Sequence, residues 1–338
     1  MKLTTLCYLE QDDKYLMLHR IRKKHDVNKD KWIGIGGKFE KGESPEDCLI
    51  REAMEETGYR LTSYRLRGVV TFLYNDEEAE YMFLYTADGF EGEPVLCDEG
   101  TLEWVRKDEI DALNLWEGDR IFFELLKEEH PFFSLKLHYR GDSLEEAVLD
   151  GTPMELLDVL DADGNPTGLV RERGLGHKRG DLHRTSHIWI ARRRQDGGFD
   201  LLLQKRSREK ESFPGCYDTS SAGHVPAGSG FLESAVRELS EELGIACRED
   251  ELSFLGFYEE QYSGTFFGKP FRNHELGAVY VYTEPVDEHG LSLQESEVEA
   301  VCWMDMETVL SETEKENPGF CLEMGELLMV KKYLEGLR

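Results

Sequence analysis

Short apolar segments with alternating polar positions recur along the chain and predict β-strands. In the first half these are YLMLHR, RGVVTFLY, EYMFLYTA and LEWV, and in the second half HIWIARR, LLLQKR, SFLGFYEE and GAVYVYTE. Each half ends in an amphipathic segment that predicts a helix, DRIFFELLKEE in the first and EMGELLMVKKYLEGL in the second. The pattern predicts the α/β class, with a mixed sheet flanked by helices in each half.

A repeat lies between the predicted strands. The segment Gly36–Tyr59 (GGKFEKGESPEDCLIREAMEETGY) resembles the segment Ala222–Ile245 (AGHVPAGSGFLESAVRELSEELGI). Each copy follows a strand candidate, KWIGI or CYDTSS, passes through a glycine-containing loop, enters a helix and ends beside a glycine. We therefore predict two domains, at residues 1–142 and 153–338, joined by a polar seam. The turn sequence DADGNPTG predicts that a hairpin opens the second domain.

Composition limits the ligands that the chain can take. A net charge of −29 repels a nucleic-acid polymer, because tight binding to one needs many basic contacts to phosphates. No apolar run is long enough to span a membrane, and the charged N-terminus does not have the pattern of a secretory signal, so we expect a cytoplasmic protein. The seven cysteines are scattered and form no CxxC pair, which favours reduced thiols.

Three carboxylates share one face of the first repeated helix, because Glu52, Glu55 and Glu56 are spaced at i, i+3 and i+4. Their mutual repulsion is relieved if a hard divalent cation binds them, and Mg²⁺ prefers such oxygen ligands. A solvated acidic face is the alternative. Recurrence favours the metal hypothesis, because the second copy repeats the arginine and all three acids, as Arg237, Glu238, Glu241 and Glu242.

The repeated unit also matches a known sequence frame. From Gly37 to Tyr59 the chain follows G-x5-E-x7-R-E-U-x-E-E-x-G-U, where U is a bulky aliphatic residue, except that Ala53 and Tyr59 occupy U positions. This frame resembles the Nudix box of the Nudix hydrolase superfamily. The resemblance implies two Nudix α/β/α sandwich domains in tandem and hydrolysis of a phosphoric anhydride bond. It also implies a cofactor, Mg²⁺, for which Mn²⁺ is the alternative.

The same resemblance implies roles for particular residues. Glu56 is the residue expected to activate water, and the other catalytic positions are Arg51, Glu52 and Glu242. Glu99, outside the box, is similar to an additional acidic ligand of related enzymes, with a solvated turn residue as the alternative. The complete expected metal set is Glu52, Glu55, Glu56, Glu99, the backbone carbonyl near Gly36, and Glu238, Glu241 and Glu242.

Beyond the box, residues 3 to about 140 resemble 8-oxo-dGTP diphosphatases of the MutT type. Ile33 and Gly118 stand where the best-known purine readers carry an asparagine and an acid, so a broader purine-triphosphate preference is implied. Aromatic faces would stack on the base, although core packing is the alternative for them. The implied substrate-binding positions are Thr5, Arg20, Trp32, Ile33, Phe72, Tyr74, Trp116 and Asp119.

From about Met154 the chain resembles the isopentenyl-diphosphate isomerase branch of the superfamily. This resemblance implies a second metal site at His177, His183, His224 and Glu275. Ala222 stands where the isomerases carry their catalytic cysteine, and Ser229 replaces the first glutamate of the box.

Three hypotheses remain for the whole chain. The first is a pyrophosphohydrolase of a nucleoside triphosphate, such as an oxidised purine dNTP, or of a related nucleoside diphosphate compound. The second is a hydrolase whose second domain is a diphosphate-binding or regulatory module. The third is an isomerase. The expected partner is a small-molecule nucleotide or another diphosphate, with neither a nucleic-acid polymer nor a membrane, and the sequence leaves a homodimer open.

Overall fold

The computed structural model describes residues 1–22, 26–75 and 77–337. The chain separates into two compact units, Met1–Leu156 and Leu157–Arg338. Both units are mixed β-sheets flanked by helices, as the strand and helix patterns predicted. Within the described residues, no helix is long and apolar enough to cross a membrane.

The first unit is built on one mixed sheet, in the order β3-β2-β1-β5-β4-β7-β8-β9 with β6 beside β2. Strand β1 runs parallel to β5, and β4 runs parallel to β7, while the other pairs are antiparallel. The elements are β1 (Lys2–Gln11), β2 (Lys14–His19), β3 (Trp32–Ile33), α1 (Pro45–Thr57), β4 (Tyr59–Tyr74), β5 (Glu80–Gly92), β6 (Thr101–Arg106), a 3₁₀ turn (Ile110–Ala112), α2 (Glu117–Lys127), β7 (Phe133–Arg140), β8 (Ser143–Leu149) and β9 (Thr152–Pro153).

Alternation along β1 places helices on both faces of this sheet. Cys7 and Leu9 point to one face, where they share a buried cluster with Leu49 and Ala53 of α1. Tyr8 points to the other face and contacts Phe123 of α2, with 4.7 Å between ring centroids. Successive strand residues point to opposite faces, so a continuous apolar strand is buried by two helices. The result is an α/β/α sandwich.

Helix α1, which carries the repeated acidic face, has defined ends. The Ser44 side chain accepts a hydrogen bond from the Asp47 N–H, the Asp47 carboxylate accepts one from the Ser44 N–H, and Pro45 occupies the first turn. Gly58 ends the helix at φ 76°, in the left-handed region that glycine adopts without strain. These caps fix where the acidic residues stand relative to the preceding loop.

The stretch predicted to be a polar seam, between 142 and 153, forms strands in the structure. β8 pairs with β7, and β9 pairs with β8, so both extend the first sheet. Leu144 and Ala147 of β8 are both buried, although they are three residues apart. The pairing of β7 with β8 shifts register between these two positions, which lets both side chains point to the same face. Polar residues at the other positions face solvent, which is why this edge strand had the composition of a linker.

The second unit holds a sheet in the order β14-β13-β12-β17-β16, with β15 beside β12 and β18 beside β13, and the predicted opening hairpin forms a separate pair, β10-β11. The elements are β10 (Leu156–Leu160), β11 (Pro166–Glu172), α3 (Arg173–Arg179), β12 (His183–Arg193), β13 (Phe199–Arg206), β14 (Tyr217–Asp218), β15 (Ser221–His224), α4 (Phe231–Leu243), a 3₁₀ turn (Glu249–Glu251), β16 (Leu252–Phe266), β17 (Lys269–Tyr282), a 3₁₀ turn (Glu288–Gly290), β18 (Val298–Asp305), α5 (Met306–Glu314) and α6 (Met324–Gly336).

Two buried clusters cover the two faces of this second sheet. Ile188 and Ile190 of β12 pack with Leu239 of α4 on one face. Trp189, between them in sequence, packs with Val330 of α6 on the other face. The second unit is therefore also an α/β/α sandwich, and its repeated helix occupies the face equivalent to that of α1.

Candidate functional site

The acidic face of α1 lies against the loop that precedes the helix. The Glu56 carboxylate is buried and accepts a hydrogen bond from the Gly36 N–H over 3.0 Å. Burial, together with the charges of Glu99 and Glu52, raises the pKa of Glu56 to about 8 against the opposing effect of the Gly36 bond. Burial likewise raises the pKa of Glu52, while Glu55 is exposed. The face therefore carries carboxyl groups whose charges are poorly solvated.

Two glycines allow the loop to approach this face. A Cβ atom on Gly37 would lie 2.3 Å from the Glu52 carboxylate, and one on Gly36 would lie 2.0 Å from the Thr5 carbonyl oxygen. Any side chain at either position would displace the loop or the carboxylate. The Thr5 N–H donates to the Gly37 carbonyl over 2.9 Å, so Thr5, predicted to contact substrate, holds the loop from the adjacent strand.

Arg51 joins the loop to the acidic face. Its guanidinium donates to Glu43 over 2.7 and 3.0 Å, to Glu52 over 2.7 Å and to the Lys38 carbonyl over 3.1 Å. The hydrogen bonds from Arg51 lower the pKa of Glu43 to about 2. Because its donors are directed at protein groups, Arg51 acts as a positioning residue for the Glu52 carboxylate.

Glu99 lies within electrostatic reach of the helix, because its charge contributes to the raised pKa of both Glu52 and Glu56. It forms an ion pair with Arg20. Arg20 also bonds to Asp26 over 2.7 Å, so this predicted substrate residue bridges two carboxylates in the structure. The arrangement brings a fourth acid to the three on α1.

This set of groups fits a hard divalent cation. Carboxylate oxygens are the ligands that Mg²⁺ takes, and a cation would offset both the burial of the Glu56 charge and its repulsion by Glu99 and Glu52. Because Gly37 has no Cβ atom, the Glu52 carboxylate can lie directly against the loop backbone. The residues that would hold the ion are Glu52, Glu55, Glu56, Glu99 and the Gly36 carbonyl.

Three of the predicted substrate-binding aromatics form one cluster. The Phe72 and Tyr74 rings on β4 are nearly parallel at 6.5 Å, and Trp116, at the start of α2, meets them edge-on at 5.6 and 6.1 Å. Tyr139 of β7 completes the cluster, 4.8 Å from Trp116 and 5.3 Å from Phe72. Tyr139 was not predicted, because β7 becomes a neighbour of β4 only through the parallel pairing.

Polar groups surround these aromatics. The Trp116 indole N–H donates to Asn28 over 2.8 Å, and the Lys31 ammonium lies 4.7 Å from the centre of the Trp116 ring. Asp119, one helical turn further, is buried, and burial raises its pKa to about 8. A carboxyl group that keeps its proton near neutral pH can both donate and accept a hydrogen bond.

Two other predicted pocket residues occupy different surroundings. Trp32 stacks on His19 at 4.5 Å between ring centroids. Its neighbour Ile33 packs against the buried cluster beneath α1. The Trp32 N–H donates to the Asn114 carbonyl over 3.0 Å, which ties β3 to the segment just before Trp116.

The second box reproduces the geometry of the first. A Cβ atom on Gly223 would lie 2.2 Å from Glu238, and the Ala222 N–H donates to Glu242 over 3.2 Å. Burial raises the pKa of Glu242 to about 8. Arg237 donates to Glu238 over 2.6 Å and to Glu241 over 2.8 Å.

Helix α4 therefore presents the same acidic face as α1, but one of the contacts between the helix and its loop is missing. Arg237 bonds to a loop carbonyl, that of His224, as Arg51 does to Lys38, but Ser229 stands at the position of Glu43. The Arg237 side chain is 38% exposed, compared with 23% for Arg51. The loss of the glutamate leaves the second arginine more open to water.

Three predicted metal-binding histidines meet in the second unit. One nitrogen from each of His177, His183 and His224 lies within 4.8 Å of the others. Burial, followed by the charges of His224 and His183, lowers the pKa of His177 to about 3, so its imidazole is neutral at physiological pH. The His177 Nε2 atom is buried without a hydrogen-bond partner among the described residues. Three imidazoles directed together, with His177 held in its neutral form, fit a transition-metal ion.

Glu275 lies directly beside this group, because it is the parallel pairing partner of His183. The His187 ring contacts two carboxylates, that of Glu275 at 3.2 Å through Nε2 and that of Glu326 at 2.8 Å through Nδ1. All three residues are buried. Burial lowers the pKa of His187, but the two carboxylates outweigh this effect and raise the pKa above its usual value. His187 and Glu326 orient Glu275, and they were not predicted because Glu326 lies on a distant helix.

A cavity of about 370 Å³ also lies in the second unit. Its wall includes the aromatic residues Phe213, Tyr262 and Phe320 together with Glu260 and Cys321. Glu260 is the antiparallel pairing partner of Glu275, which places the cavity next to the histidine group. The sequence contains no local sign of this cavity, because its walls come from segments far apart in the chain.

Comparison with known proteins supports both boxes. The family model for the NUDIX domain matches residues 2–126 and residues 182–321. The chain is 40% identical over 168 residues to Nudix hydrolase 3 of Arabidopsis thaliana, a match that covers 49% of this chain and 21% of that protein. The chain thus spans about a fifth of the length of this relative.

Further relatives are similar over shorter parts of the chain. The oxidized purine nucleoside triphosphate hydrolase of Danio rerio is 31% identical over 44% of this chain and 94% of its own length. The isopentenyl-diphosphate Delta-isomerase of Pectobacterium atrosepticum is 32% identical over 38% of this chain and 65% of its own length. The MutT protein structure from Bacillus halodurans is 30% identical, with a TM-score of 0.40, over 44% of this chain and 98% of that one. Because the family match covers most of both halves and each half carries the box on a helix, the chain belongs to the NUDIX domain family, with two Nudix domains in tandem.

Proposed function

We propose that the first unit is a Mg²⁺-dependent pyrophosphohydrolase of a nucleoside triphosphate or a related nucleoside diphosphate compound, with Mn²⁺ as the alternative ion. The observation that carries the proposal is the buried Glu56 carboxylate, held by the Gly36 N–H beside Glu52 and Glu99. A fold does not require such a costly arrangement of acids. Metal-assisted hydrolysis gives a reason for it.

The residues of the first unit have different roles in the proposed hydrolysis. When bound, Mg²⁺ neutralises phosphate charge and makes water more acidic. Glu56, held by the Gly36 N–H beside the other acids, is placed to accept a proton from the attacking water. Arg51 holds Glu52 and the loop in place, so that the acids stay aligned with the phosphate chain.

A purine is the base that the aromatic cluster suits best. Phe72 and Tyr74 are partly exposed and offer ring faces, Trp116 and Tyr139 are buried and pack against them, and Asp119 adds a buried polar group close to Tyr139. The name of the Danio rerio relative refers to oxidized purine nucleoside triphosphates, and we include these in the proposed substrate class. Ile33 packs against the buried cluster beneath α1 and has no hydrogen-bonding side chain to offer a base, which favours a broader purine preference.

The test is a screen for released phosphate and pyrophosphate in the presence of Mg²⁺. Nucleoside triphosphates, nucleotide sugars, dinucleotides, and prenyl and thiamine diphosphates are compared on the full chain. Glu56→Gln should abolish turnover of a purine triphosphate, whereas the matched Glu242→Gln should retain it. No release from any class would overturn the proposal, and equal losses in the two variants would mean two working sites.

For the second unit we propose a metal-dependent diphosphate-binding or regulatory module. The convergent nitrogens of His177, His183 and His224 beside Glu275 support it. An isomerase is the less favoured alternative, because Ala222 offers no thiol at the position where that chemistry would place one. Small-molecule nucleotides or other diphosphates are the proposed partners.

A further inference from the structure

Two cysteines that are far apart in the chain meet in the second unit. Cys216 immediately precedes β14, and Cys321 lies between α5 and α6. The Cys321 N–H donates to the Tyr217 carbonyl over 3.0 Å, and the Tyr217 N–H donates to the Gly319 carbonyl over 2.8 Å. These bonds hold the two segments side by side, and they bring the two thiols close enough to affect each other's ionisation.

The surroundings of Cys216 favour its ionised form. The interaction with Cys321 and the nearby guanidinium of Arg206 lower the pKa of Cys216 to about 7, against the effects of burial and of Asp218. Asp218 holds Arg206 in place over 2.7 Å. The Cys216 sulfur also contacts the Pro318 carbonyl at 3.4 Å. A thiolate near a fixed guanidinium is a reactive nucleophile.

The partner thiol has the complementary character. Its hydrogen bond to Cys216 and its burial raise the pKa of Cys321, and its sulfur lies 3.4 Å from the Tyr217 carbonyl oxygen. This upward effect of Cys216 ends once the charge on Cys216 has been consumed in a reaction. The other five cysteines differ from Cys216, because burial raises the pKa of each.

We propose that Cys216 and Cys321 form a reversible redox site that small-molecule disulfides oxidise to an internal disulfide. The Cys216 thiolate attacks one sulfur of the small disulfide, which forms a mixed disulfide and releases one thiolate. The Cys321 thiol then loses its proton to solvent and attacks the Cys216 sulfur, which releases the second small thiol. The protein loses two protons and two electrons, and the small disulfide gains them as it becomes two thiols.

The oxidised site would alter the neighbouring cavity. Cys321, Pro318 and Phe320 all contribute to the cavity wall, whereas Cys216 begins the β14 segment outside it. A covalent bond between the sulfurs would fix this wall to β14. The site is thus placed to couple thiol oxidation to ligand binding in the second unit, independently of the proposed hydrolase activity.

The test uses the reduced full chain, oxidised glutathione as the probe, and alkylation followed by peptide mass spectrometry. In the unaltered protein the Cys216 and Cys321 peptides should become joined, with no glutathione retained. Cys321→Ser should stop at a glutathione adduct on Cys216, and Cys216→Ser should show neither product. The matched control Cys302→Ser should behave as the unaltered protein.

A rate measurement on the unaltered protein removes any dependence on how the variants fold. At neutral pH, Cys216 should react about tenfold faster than Cys302, because about half of it is thiolate while a buried thiol is almost entirely protonated. An equal rate for Cys216 and Cys302 would overturn the proposal. So would a stable glutathione adduct on Cys216 in the unaltered protein, since it would mean that Cys321 does not resolve it.

Discussion

Arg51 donates two hydrogen bonds to the carboxylate of Glu43, over 2.7 and 3.0 Å, and this pair connects the loop of the first Nudix box to its helix. The second box has Ser229 at the position of Glu43, so its arginine, Arg237, keeps the equivalent bonds to Glu241 and the His224 carbonyl but has no glutamate partner in the loop. Two boxes with the same acidic face therefore differ in how firmly that face is held.

Glu43→Gln should lower kcat/KM for a purine triphosphate by about 10- to 100-fold, the usual cost of losing a group that orients a metal ligand. The amide can accept only one of the two bonds, and Arg51 would then hold Glu52 less firmly. Initial rates with Mg²⁺ measure the effect. Glu40→Gln, which removes a charge from the same loop, should leave kcat/KM unchanged, and a Glu43 variant with full activity would contradict the positioning role.

Gly37→Ala should reduce turnover by about 100-fold or more, since small misplacements of catalytic groups have effects of this size. The added Cβ would stand 2.3 Å from Glu52 and must displace it. Gly223→Ala places the same collision, at 2.2 Å, in the second box and serves as the matched variant. Steady-state kinetics of both compare the two units. Retained turnover in Gly37→Ala together with loss in Gly223→Ala would reverse the assignment of catalysis to the first unit.

Trp116→Leu should raise KM for a purine triphosphate about tenfold, because the buried Trp116 ring supports Phe72 and Tyr74, and stacking on one base contributes about 1–3 kcal/mol. The ring lies among Phe72, Tyr74 and Tyr139 and is held by its bond to Asn28. Initial rates over a range of substrate concentrations measure the change. Trp303→Leu, in the second unit, is the control and should leave KM unaffected. An unchanged KM in the Trp116 variant would mean that the aromatic cluster is only core.

Asp119 should make the stability of the first unit depend on pH. Its pKa is raised by burial to about 8, so its contribution is fully present below about pH 4 and is lost as the pH rises towards about 8. Asp119→Asn cannot ionise, and its thermal stability relative to the unaltered protein should therefore increase over that range and level off above it. Thermal unfolding at several pH values measures the difference.

The exposed Asp108, whose pKa is lowered by hydrogen bonds from Arg106, supplies the control for this experiment. Asp108→Asn should show a stability difference that stays constant from about pH 5 upwards, because Asp108 is ionised throughout that range. A constant difference for the Asp119 variant as well would show that Asp119 titrates normally.

His177→Gln should weaken binding of Co²⁺ to the second unit by at least about tenfold, in line with the loss of one imidazole from a set of three. The visible absorption of Co²⁺ changes when nitrogen ligands replace water, which separates this site from the carboxylate sites. His289→Gln is the control, since His289 is 89% exposed and lies outside the group. Equal spectra for the two variants would show that the histidines do not bind the metal together.

The sequence by itself determined the family, the duplication and the inequality of its two halves. These properties are local, because the box is one loop and one helix whose caps and spacing are written in consecutive residues. The periodicity that places Glu52, Glu55 and Glu56 on one face holds in any helix. The substitution of Ser229 for the bracing glutamate was visible for the same reason.

Tertiary structure decided what surrounds those helices. Tyr139 joined the aromatic cluster through the parallel pairing of β4 and β7, and His187 and Glu326 came to orient Glu275 from a strand and a distant helix. Cys216 and Cys321 became neighbours through a bridge between segments about a hundred residues apart. Such contacts depend on which strands pair and in what register, and no local pattern of polar and apolar residues specifies that choice.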